Sequence, residues 1–180
     1  PYHQTEEIAL WCIDNGFRYC DFGGRVDVSK EINEYAQKDA TKAVYTDLGL
    51  APGLVNILTE HGCRQIHRTP TDIKMMVGGL PKKKINHPIN YATTWSIDGL
   101  INEYEDNCKI LESGEVRTVR GMEGHEIIQT ENLGILEAFY TSGGMSHTLD
   151  SMNSKGVINC CYKTLRYAGH RDIVKFLIKN

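Results

Sequence analysis

The sequence predicts an α/β (α+β) protein, in which parallel βα units come first and an antiparallel or mixed sheet with a few helices follows. Helical and strand-like apolar patterns alternate up to Arg64, whereas strand-like patterns dominate beyond it. The 180 residues are 41% hydrophobic and 24% charged, which is ordinary for a globular protein. This composition excludes the collagen-like, disordered and disulfide-framework classes.

The first part of the chain contains two rounds of helix and strand. Glu6 and Glu7 favour a helix start, because negative charge suits the amino end of a helix, and Gly16 suits the C′ position that ends it. Pro52 suits the first turn of a later helix, where a backbone N–H is not needed. The predicted elements are a helix from Thr5 towards Gly16, a strand at 17–22, a helix at 30–39 capped by Ser29, a strand at 43–48, and a helix starting from the turn at 49–53.

The second part is predicted to be mainly strands. Residues 109–119 alternate apolar and polar side chains around a Ser-Gly pair, which is a hairpin signal. Ile173, Phe176 and Leu177 recur at helical spacing, so one face of the last helix should be buried. The remaining predicted elements are strands at 73–77, 92–96, 126–129, 136–141 and 159–167, and helices at 99–106, 144–154 and 169–180.

Charge, hydropathy and cysteine usage argue against several functions. The 20 Lys+Arg and 23 Asp+Glu residues form no basic stripe, so no nucleic-acid partner is predicted, and the run Lys82-Lys83-Lys84 is interpreted as a solvated loop. No apolar run approaches the ~18–20 residues that span a bilayer, so no membrane partner is predicted either. The six cysteines form no CxxC pair, which indicates reduced thiols in a cytoplasmic protein.

Common catalytic and metal-binding motifs are absent from the sequence, which contains no GxGxxG, Walker loop, GxSxG or HExxH. His61 and His67 are too far apart for a ligand pair on one helix turn, so no metal site is predicted. Since the sequence begins at Pro1 without an initiator Met and ends within a helical pattern, we expect it to be a piece of a longer protein.

Glycine-rich segments that follow predicted strands are the best candidates for binding. Ligands of open α/β sheets lie beyond the carboxyl ends of strands, which is where residues 21–24 and 47–53 are predicted to lie. Tight turns without a ligand are the alternative. Arg166 and His170 flank another glycine, and an arginine there can bind a carboxylate through two parallel hydrogen bonds. The alternative is that Arg166 forms a structural salt bridge and His170 lies near a helix start.

The order of six such segments resembles the saccharopine dehydrogenase family, and the likeness runs over essentially the whole chain. The segments are Asp21-Phe22-Gly23-Gly24, Gly49-Leu50-Ala51-Pro52-Gly53, Gly78-Gly79-Leu80-Pro81, Asn90-Tyr91-Ala92-Thr93-Thr94-Trp95-Ser96, Leu136-Glu137-Ala138-Phe139-Tyr140-Thr141 and Lys163-Thr164-Leu165-Arg166-Tyr167-Ala168-Gly169-His170.

The resemblance implies an NAD(P)-dependent oxidoreductase that acts by hydride transfer on the carbon–nitrogen bond of an amino acid, lysine or a saccharopine-type substrate. It implies the end of a Rossmann-like NAD(P)-binding parallel sheet at residues 1–62, and a mixed or antiparallel-sheet substrate and dimerisation domain at 63–180. NAD or NADP would bind mainly through a glycine motif that this chain lacks, so the chain alone is expected to be inactive. A homodimer is expected.

Site residues follow from the resemblance position by position, and no general base is assigned. The residues implied to bind substrate are Asp21, Gly79, Thr94, Trp95, Ser96, Asp98, Arg166 and His170. The residues implied to lie against the cofactor are Gly23, Gly49, Leu50, Ala51 and Pro52.

Two positions depart from the fungal glutamate-forming saccharopine enzymes. Those enzymes have Asp at the position of Ala51 and Arg at the position of Asp98. Loss of that arginine disfavours saccharopine, and Asp98 with the nearby Glu103 suits an amine, as in lysine 6-dehydrogenases. The alternatives are a polyamine enzyme of the carboxynorspermidine dehydrogenase type and a non-catalytic dimerisation module of the same fold.

Overall fold

The structure, a computed structural model, describes residues 2–83, 85 and 87–179. It divides into two compact units: unit 1 comprises the residues up to Arg68 together with Gly143–Thr148, and unit 2 comprises Thr69–Ser142 and the residues from Leu149 onward. Among the described helices none is long and apolar enough to cross a membrane.

Unit 1 carries two parallel strands, as the alternating pattern predicted. Tyr19 pairs with Val44, and the strands are only two residues long each. A small core of buried side chains lies between the helices and this pair: Ala9, Ile13, Tyr19 and Ile32. The elements are α1 (Thr5–Asp14), β1 (Tyr19–Cys20), α2 (Val26–Asp39), β2 (Val44–Tyr45) and α3 (Leu54–Gln65).

Two predictions for unit 1 need correction. The predicted cap Ser29 lies inside α2, which begins at Val26, and its buried hydroxyl donates to Asp47 Oδ1 at 2.7 Å instead of capping the helix. The strands are shorter than the predicted 17–22 and 43–48, and just beyond them Asp21 Oδ1 accepts the backbone N–H groups of Gly23 and Asp47.

Unit 2 contains a six-stranded mixed sheet built around its last strand. The strand order is β5-β4-β8-β7-β6, with β3 additionally parallel to β8. The predicted hairpin is confirmed: β4 and β5 pair through Ser113 and Gly114, whose φ values of 55° and 79° suit a two-residue turn. The elements are β3 (Asp72–Val77), α4 (Ile97–Glu105), β4 (Asn107–Glu112), β5 (Glu115–Arg120), β6 (Glu126–Thr130), β7 (Gly134–Tyr140), α5 (Thr148–Ser154), β8 (Asn159–Tyr167) and α6 (His170–Lys179).

Two predictions beyond Arg68 were wrong in part. Residues 92–96 form no strand: they are exposed, and Ser96 Oγ instead accepts the Gly99 N–H at 3.2 Å to cap α4. The helix predicted at 144–154 begins only at Thr148, because left-handed backbone at Gly143 and Ser146 interrupts it. Lys82 and Lys83 lie exposed in a loop as predicted, whereas Lys84, Pro1 and Asn180 lie outside the described residues.

The core of unit 2 places α4 and α6 over β7. Phe139 of β7 is fully buried among side chains of α4 and the segment before it, and Val174 and Ile178 of α6 pack against the same cluster. The buried members of this cluster are Tyr91, Leu100, Tyr104, Met122 and Phe139. Because Phe139 pairs with Thr164 of β8, the layer of side chains under these helices extends across both strands.

Candidate functional site

A row of polar side chains follows β8 under the helices of unit 2. Tyr162, Thr164 and Arg166 alternate along the strand and therefore point to one face, and only 6%, 3% and 5% of their surfaces are exposed. Thr164 Oγ1 lies 2.7 Å from the equally buried Thr141 Oγ1. Since the interior face of a sheet is ordinarily apolar, a buried polar row marks a place where the fold has retained polar groups.

Arg166 is the charged member of this row. Its Nε donates to Tyr104 Oη and its Nη1 to the Leu165 carbonyl, both at 2.9 Å. The guanidinium carbon lies 4.7 Å from the centre of the Tyr91 ring. Among the described residues no carboxylate lies within ion-pair distance of this guanidinium, which is therefore a buried cation held by neutral oxygens and aromatic rings.

His170 begins α6 and completes the cluster. It is 1% exposed, its Nε2 lies 3.0 Å from Tyr104 Oη, and its Nδ1 lies 2.9 Å from the Ile89 carbonyl. Burial lowers the pKa of His170 below its ordinary value, so the imidazole is neutral near pH 7. Burial raises the pKa of Tyr104 to about 12. Arg166 and His170 are thus brought together by a tyrosine of α4.

Glu103 precedes Tyr104 on α4. Among the described acidic groups, its pKa is the one best suited to a general acid or base. Burial raises its pKa to about 7, although the positive charge of Arg166 acts in the opposite direction. Its backbone carbonyl accepts the Ser142 N–H at 3.0 Å. A carboxyl with this pKa exchanges a proton near neutral pH, which an ordinary glutamate does not do.

The other predicted residues of unit 2 lie around this cluster or apart from it. Trp95 Nε1 donates to Tyr91 Oη at 3.2 Å, which links it to the ring under Arg166. Ser96 caps α4, and Thr94 and Asp98 are exposed. Gly79 follows β3 in a loop, where a Cβ would meet no other atom within 4 Å.

In unit 1 the predicted residues come together at the carboxyl ends of β1 and β2. Asp21 Oδ1 accepts the N–H of Gly23 at 2.7 Å and of Asp47 at 3.0 Å, whereas its buried Oδ2 has no partner among the described residues. A Cβ on Gly23 would lie 2.7 Å from Pro52 Cγ, so these two predicted residues are neighbours. Asp21 is therefore a partly unused acceptor beside the glycine-rich turn.

The turn at 49–53 is itself tightly closed. Gly49 and Leu50 form bridges to Gly53, and the Ala51–Pro52 peptide bond is cis. The Gly53 N–H donates to Asn56 Oδ1 at 2.7 Å at the start of α3. Leu50 remains 55% exposed.

Asp47 and Asn56 tie this region to the returning segment Gly143–Thr148. Asp47 Oδ2 accepts the Ser146 hydroxyl at 2.6 Å, and Asn56 Nδ2 donates to the carbonyls of Gly144 and Met145 at 3.1 Å. Residues far apart in the sequence thus close one polar cluster in unit 1. None of the described His, Cys, Asp and Glu side chains form a group that could hold a metal ion, and none of the six cysteines, all among the described residues, forms a disulfide.

Comparison with known proteins decides the family. The family profile described as the saccharopine dehydrogenase C-terminal domain matches residues 49–179, which is more than half of the chain. This chain belongs to the saccharopine dehydrogenase family. The family predicted from the six segments is thereby confirmed.

Two curated relatives and one solved structure agree with this assignment. The chain is similar to saccharopine dehydrogenase [NADP(+), L-glutamate-forming] of Pyricularia oryzae, with 24% identity over 151 residues that cover 81% of this chain and 34% of that protein. It is also similar to the enzyme of the same description from Schizosaccharomyces pombe, with 24% identity over 125 residues, 67% of this chain and 28% of that protein. The chain therefore spans about a third of these relatives.

The solved structure supports the fold. Apo histidine-tagged saccharopine dehydrogenase (L-Glu forming) from Saccharomyces cerevisiae superimposes with a TM-score of 0.74 at 19% identity, covering 99% of this chain and 41% of that chain. The predicted α/β class with a mixed sheet is confirmed.

Sequence reasoning missed several residues of this saccharopine dehydrogenase family chain. Tyr104 and Tyr91 joined no predicted site, although they contact both Arg166 and His170. Glu137 also went unassigned: it is 3% exposed and accepts the Gly169 and Arg171 N–H groups at the start of α6. No pattern within β8 could have found these three residues, because Tyr104 lies in α4, Glu137 in β7 and Tyr91 before α4.

Replacing Glu103 by Gln is expected to change how stability depends on pH. Because burial raises the folded-state pKa from an ordinary 4.5 to about 7, the folded state binds the proton more tightly, and stability falls as pH rises through this window. Glu103→Gln removes this loss, so its free energy of unfolding should exceed that of the wild type by on the order of 2–3 kcal/mol at pH 8 and by little at pH 4.5.

Urea unfolding of both proteins between pH 4.5 and 8 measures this difference. Glu105→Gln, on the exposed side of the same helix, is the matched control and should show no such widening gap. A gap between Glu103→Gln and wild type that stays constant with pH would contradict the buried-carboxyl interpretation.

Proposed function

We propose that this chain is part of an NAD(P)-dependent oxidoreductase that acts on the carbon–nitrogen bond of an amino-acid substrate, and that Arg166 binds a substrate carboxylate. The observation that carries the proposal is the buried guanidinium of Arg166, which has no carboxylate within ion-pair distance among the described residues. A buried cation is costly unless an anion pairs with it, so a carboxylate ligand would compensate it.

The surroundings of Arg166 suit an amino-acid carboxylate. Nε and Nη1 are already engaged, which leaves Nη2 without a partner among the described residues and able to donate to an incoming oxygen. The Tyr91 ring beside the guanidinium restricts its movement and excludes water. The names of the curated relatives, glutamate-forming saccharopine dehydrogenases, are consistent with a substrate that bears carboxylates.

Asp21 fits a nicotinamide cofactor in one respect. Its unpartnered Oδ2 can only accept, and a nicotinamide cofactor offers carboxamide N–H and ribose O–H donors. Asp21 and the turn from Gly49 to Pro52 would hold that part of the cofactor. When bound, the nicotinamide supplies hydride transfer at the carbon beside the substrate nitrogen.

The residues of the chain would contribute orientation and proton exchange. Arg166 would hold the carboxylate and so fix the position of the carbon that reacts. Glu103, with its pKa raised to about 7 by burial, is the proposed group for proton exchange with the substrate nitrogen. Asp98 is exposed in the first turn of α4, where a carboxylate stabilises the helix by itself, so amine recognition is assigned to Glu103.

Calorimetric titration with four probes tests this proposal on the 180-residue chain: L-saccharopine, L-lysine, L-glutamate and carboxynorspermidine, each with and without NADPH. We expect binding of at least one carboxylate-bearing probe, weakened about 10–100-fold by Arg166→Met, since hydrogen bonds to charged groups contribute about 1.5–3 kcal/mol. Preference among the probes separates the saccharopine, lysine and polyamine alternatives.

The control variant removes the positive charge of an arginine that lies on the exposed hairpin. Arg117→Met lies on the exposed hairpin, where Arg117 pairs with Glu112, and should bind the probes as the wild type does. Arg166→Lys keeps the charge without the planar fork and should recover part of the affinity. Equal affinity in the wild type and the folded Arg166→Met variant, or no binding by the wild type at millimolar probe, would contradict the proposal.

A further inference from the structure

The hydrogen bonds around His170 have only one consistent direction. The Ile89 carbonyl can only accept, so the contact at 2.9 Å requires a proton on His170 Nδ1. A neutral imidazole then has no proton on Nε2, which must accept from the Tyr104 hydroxyl at 3.0 Å. Tyr104 Oη, having donated its proton, accepts from Arg166 Nε at 2.9 Å. One chain of hydrogen bonds therefore runs from the arginine to the backbone of Ile89.

We propose that neutral His170 is a positioning residue that acts through Tyr104 to hold the Arg166 guanidinium in the orientation that binds a carboxylate, so that protonation of His170 weakens carboxylate binding. The proposal rests on the proposed role of Arg166. It assigns to His170 a role different from the direct substrate contact that the family resemblance implied. His170 reaches Arg166 through the tyrosine hydroxyl that both contact.

Protonation of His170 would reverse the direction of its hydrogen bond with Tyr104. Nε2 would then carry a proton and donate to Tyr104 Oη, whose own proton would lose its acceptor. Tyr104 would be left with two donors aimed at it, from His170 and from Arg166. A buried hydroxyl whose proton has no acceptor is costly, so Tyr104 is expected to rotate and release Arg166 Nε.

The groups that face His170 set the pH at which its imidazole becomes protonated. Arg166 on β8 disfavours the imidazolium, whereas Glu137 on β7 and the Ile89 carbonyl favour it. The other neighbours are the rings of Tyr91, Tyr104 and Phe139, which exclude water. Burial is the largest effect and lowers the pKa of His170, so the neutral form persists at pH 7 and is lost only on the acid side.

Ionisation of Glu103 has an opposite effect on how carboxylate affinity depends on pH, and the experiment must remove this effect. As pH rises through about 7 this carboxyl ionises near Arg166 and competes with an incoming carboxylate. The affinity of the wild type for a carboxylate without an amine, such as pyruvate, is therefore expected to be highest between the two titrations. Glu103→Gln abolishes the alkaline limb and leaves only the limb due to His170.

The first test is independent of any ligand. The ¹⁵N shifts of the His170 ring in the wild-type chain at pH 7 report its tautomer, and we expect the proton on Nδ1. A slowly exchanging Arg166 Nε–H signal should broaden or shift as His170 is protonated. A proton on Nε2 at pH 7, or an Arg166 signal that ignores the His170 titration, would overturn the proposal.

The second test measures the affinity of Glu103→Gln for pyruvate, a carboxylate without the amine that Glu103 is proposed to bind, between pH 4.5 and 8. We expect affinity to fall about tenfold as His170 is protonated, at the pH that the NMR titration gives, which corresponds to loss of one favourable hydrogen bond. Glu103→Gln with Tyr104→Phe should bind weakly and without this pH dependence. A flat profile in Glu103→Gln, or an unchanged acid limb in the double variant, would refute the coupling.

The two proposals fail in different ways. If Arg166→Met binds as the wild type does, the proposed carboxylate site is wrong whatever the His170 tautomer is. If Arg166→Met loses binding but affinity ignores the His170 titration, the carboxylate site stands and the positioning role of His170 is wrong. The wild-type NMR measurements still test the hydrogen-bond chain if Tyr104→Phe does not fold.

Discussion

Phe139→Ala is expected to lower the free energy of unfolding of unit 2 by about 3–5 kcal/mol, the usual cost of deleting a fully buried aromatic ring. Phe139 is 0% exposed and lies edge-on to Tyr104, with ring centres 5.6 Å apart. Its ring also stacks against His170 at 6.5 Å. The cavity would therefore open beside the two residues that position Arg166, so carboxylate binding should weaken as well.

Urea unfolding followed by tryptophan fluorescence and circular dichroism checks this prediction. The predicted burial of Phe176 and Leu177 was wrong, because α6 packs on the core through Val174 and Ile178 instead. Leu177→Ala is the matched control, because Leu177 is 63% exposed on α6 and its truncation should change stability by less than about 0.5 kcal/mol. Similar losses for the two variants would mean that Phe139 is not the centre of this core.

Gly53→Ala is expected to destabilise unit 1 by at least about 2–3 kcal/mol, because strain and overlap act together. Gly53 has a φ of 131°, where side-chain-bearing residues are strained. A Cβ there would lie 2.1 Å from the Gly49 carbonyl oxygen and 2.6 Å from its nitrogen. These are backbone atoms, so relief requires the turn itself to open.

Gly62→Ala in α3 provides the opposite result within the same unit. No atom lies within 4 Å of a Cβ at Gly62, and alanine favours a helix by about 0.8–1 kcal/mol over glycine. Thermal unfolding should therefore show a lowered melting temperature for Gly53→Ala and a slightly raised one for Gly62→Ala. Equal melting temperatures would contradict the closed turn described for residues 49–53.

Local patterns were sufficient for the elements whose residues alternate strongly. The hairpin around Ser113 and Gly114 was predicted correctly, because side-chain alternation and turn chemistry are properties of neighbouring residues. The strand 159–167 was also predicted with the bounds that the structure shows. The predicted strand at 92–96 failed for the converse reason. Its threonines favour a strand, yet no partner strand reaches them among the described residues, and Ser96 serves as a helix cap instead.

The candidate site likewise contains residues that the sequence predicted and residues that only the structure revealed. Arg166 and His170 were selected from the sequence because they flank a glycine after a strand pattern. Tyr104 was not, since it lies 62 residues from Arg166 and 66 from His170, and only the packing of α4 over β8 brings the three together. Ser29 was misread as a cap because its actual partner, Asp47, is 18 residues further along the chain.

By itself, the sequence determined the family, the α/β class, the two parallel strands and the candidate residues, since order, spacing and alternation are carried by the chain. Tertiary structure decided that the β8 row is buried, that Arg166 has no carboxylate partner among the described residues, and that burial raises the pKa of Glu103 and lowers that of His170. Burial and charge depend on distances between segments remote in sequence, and folding alone sets those distances.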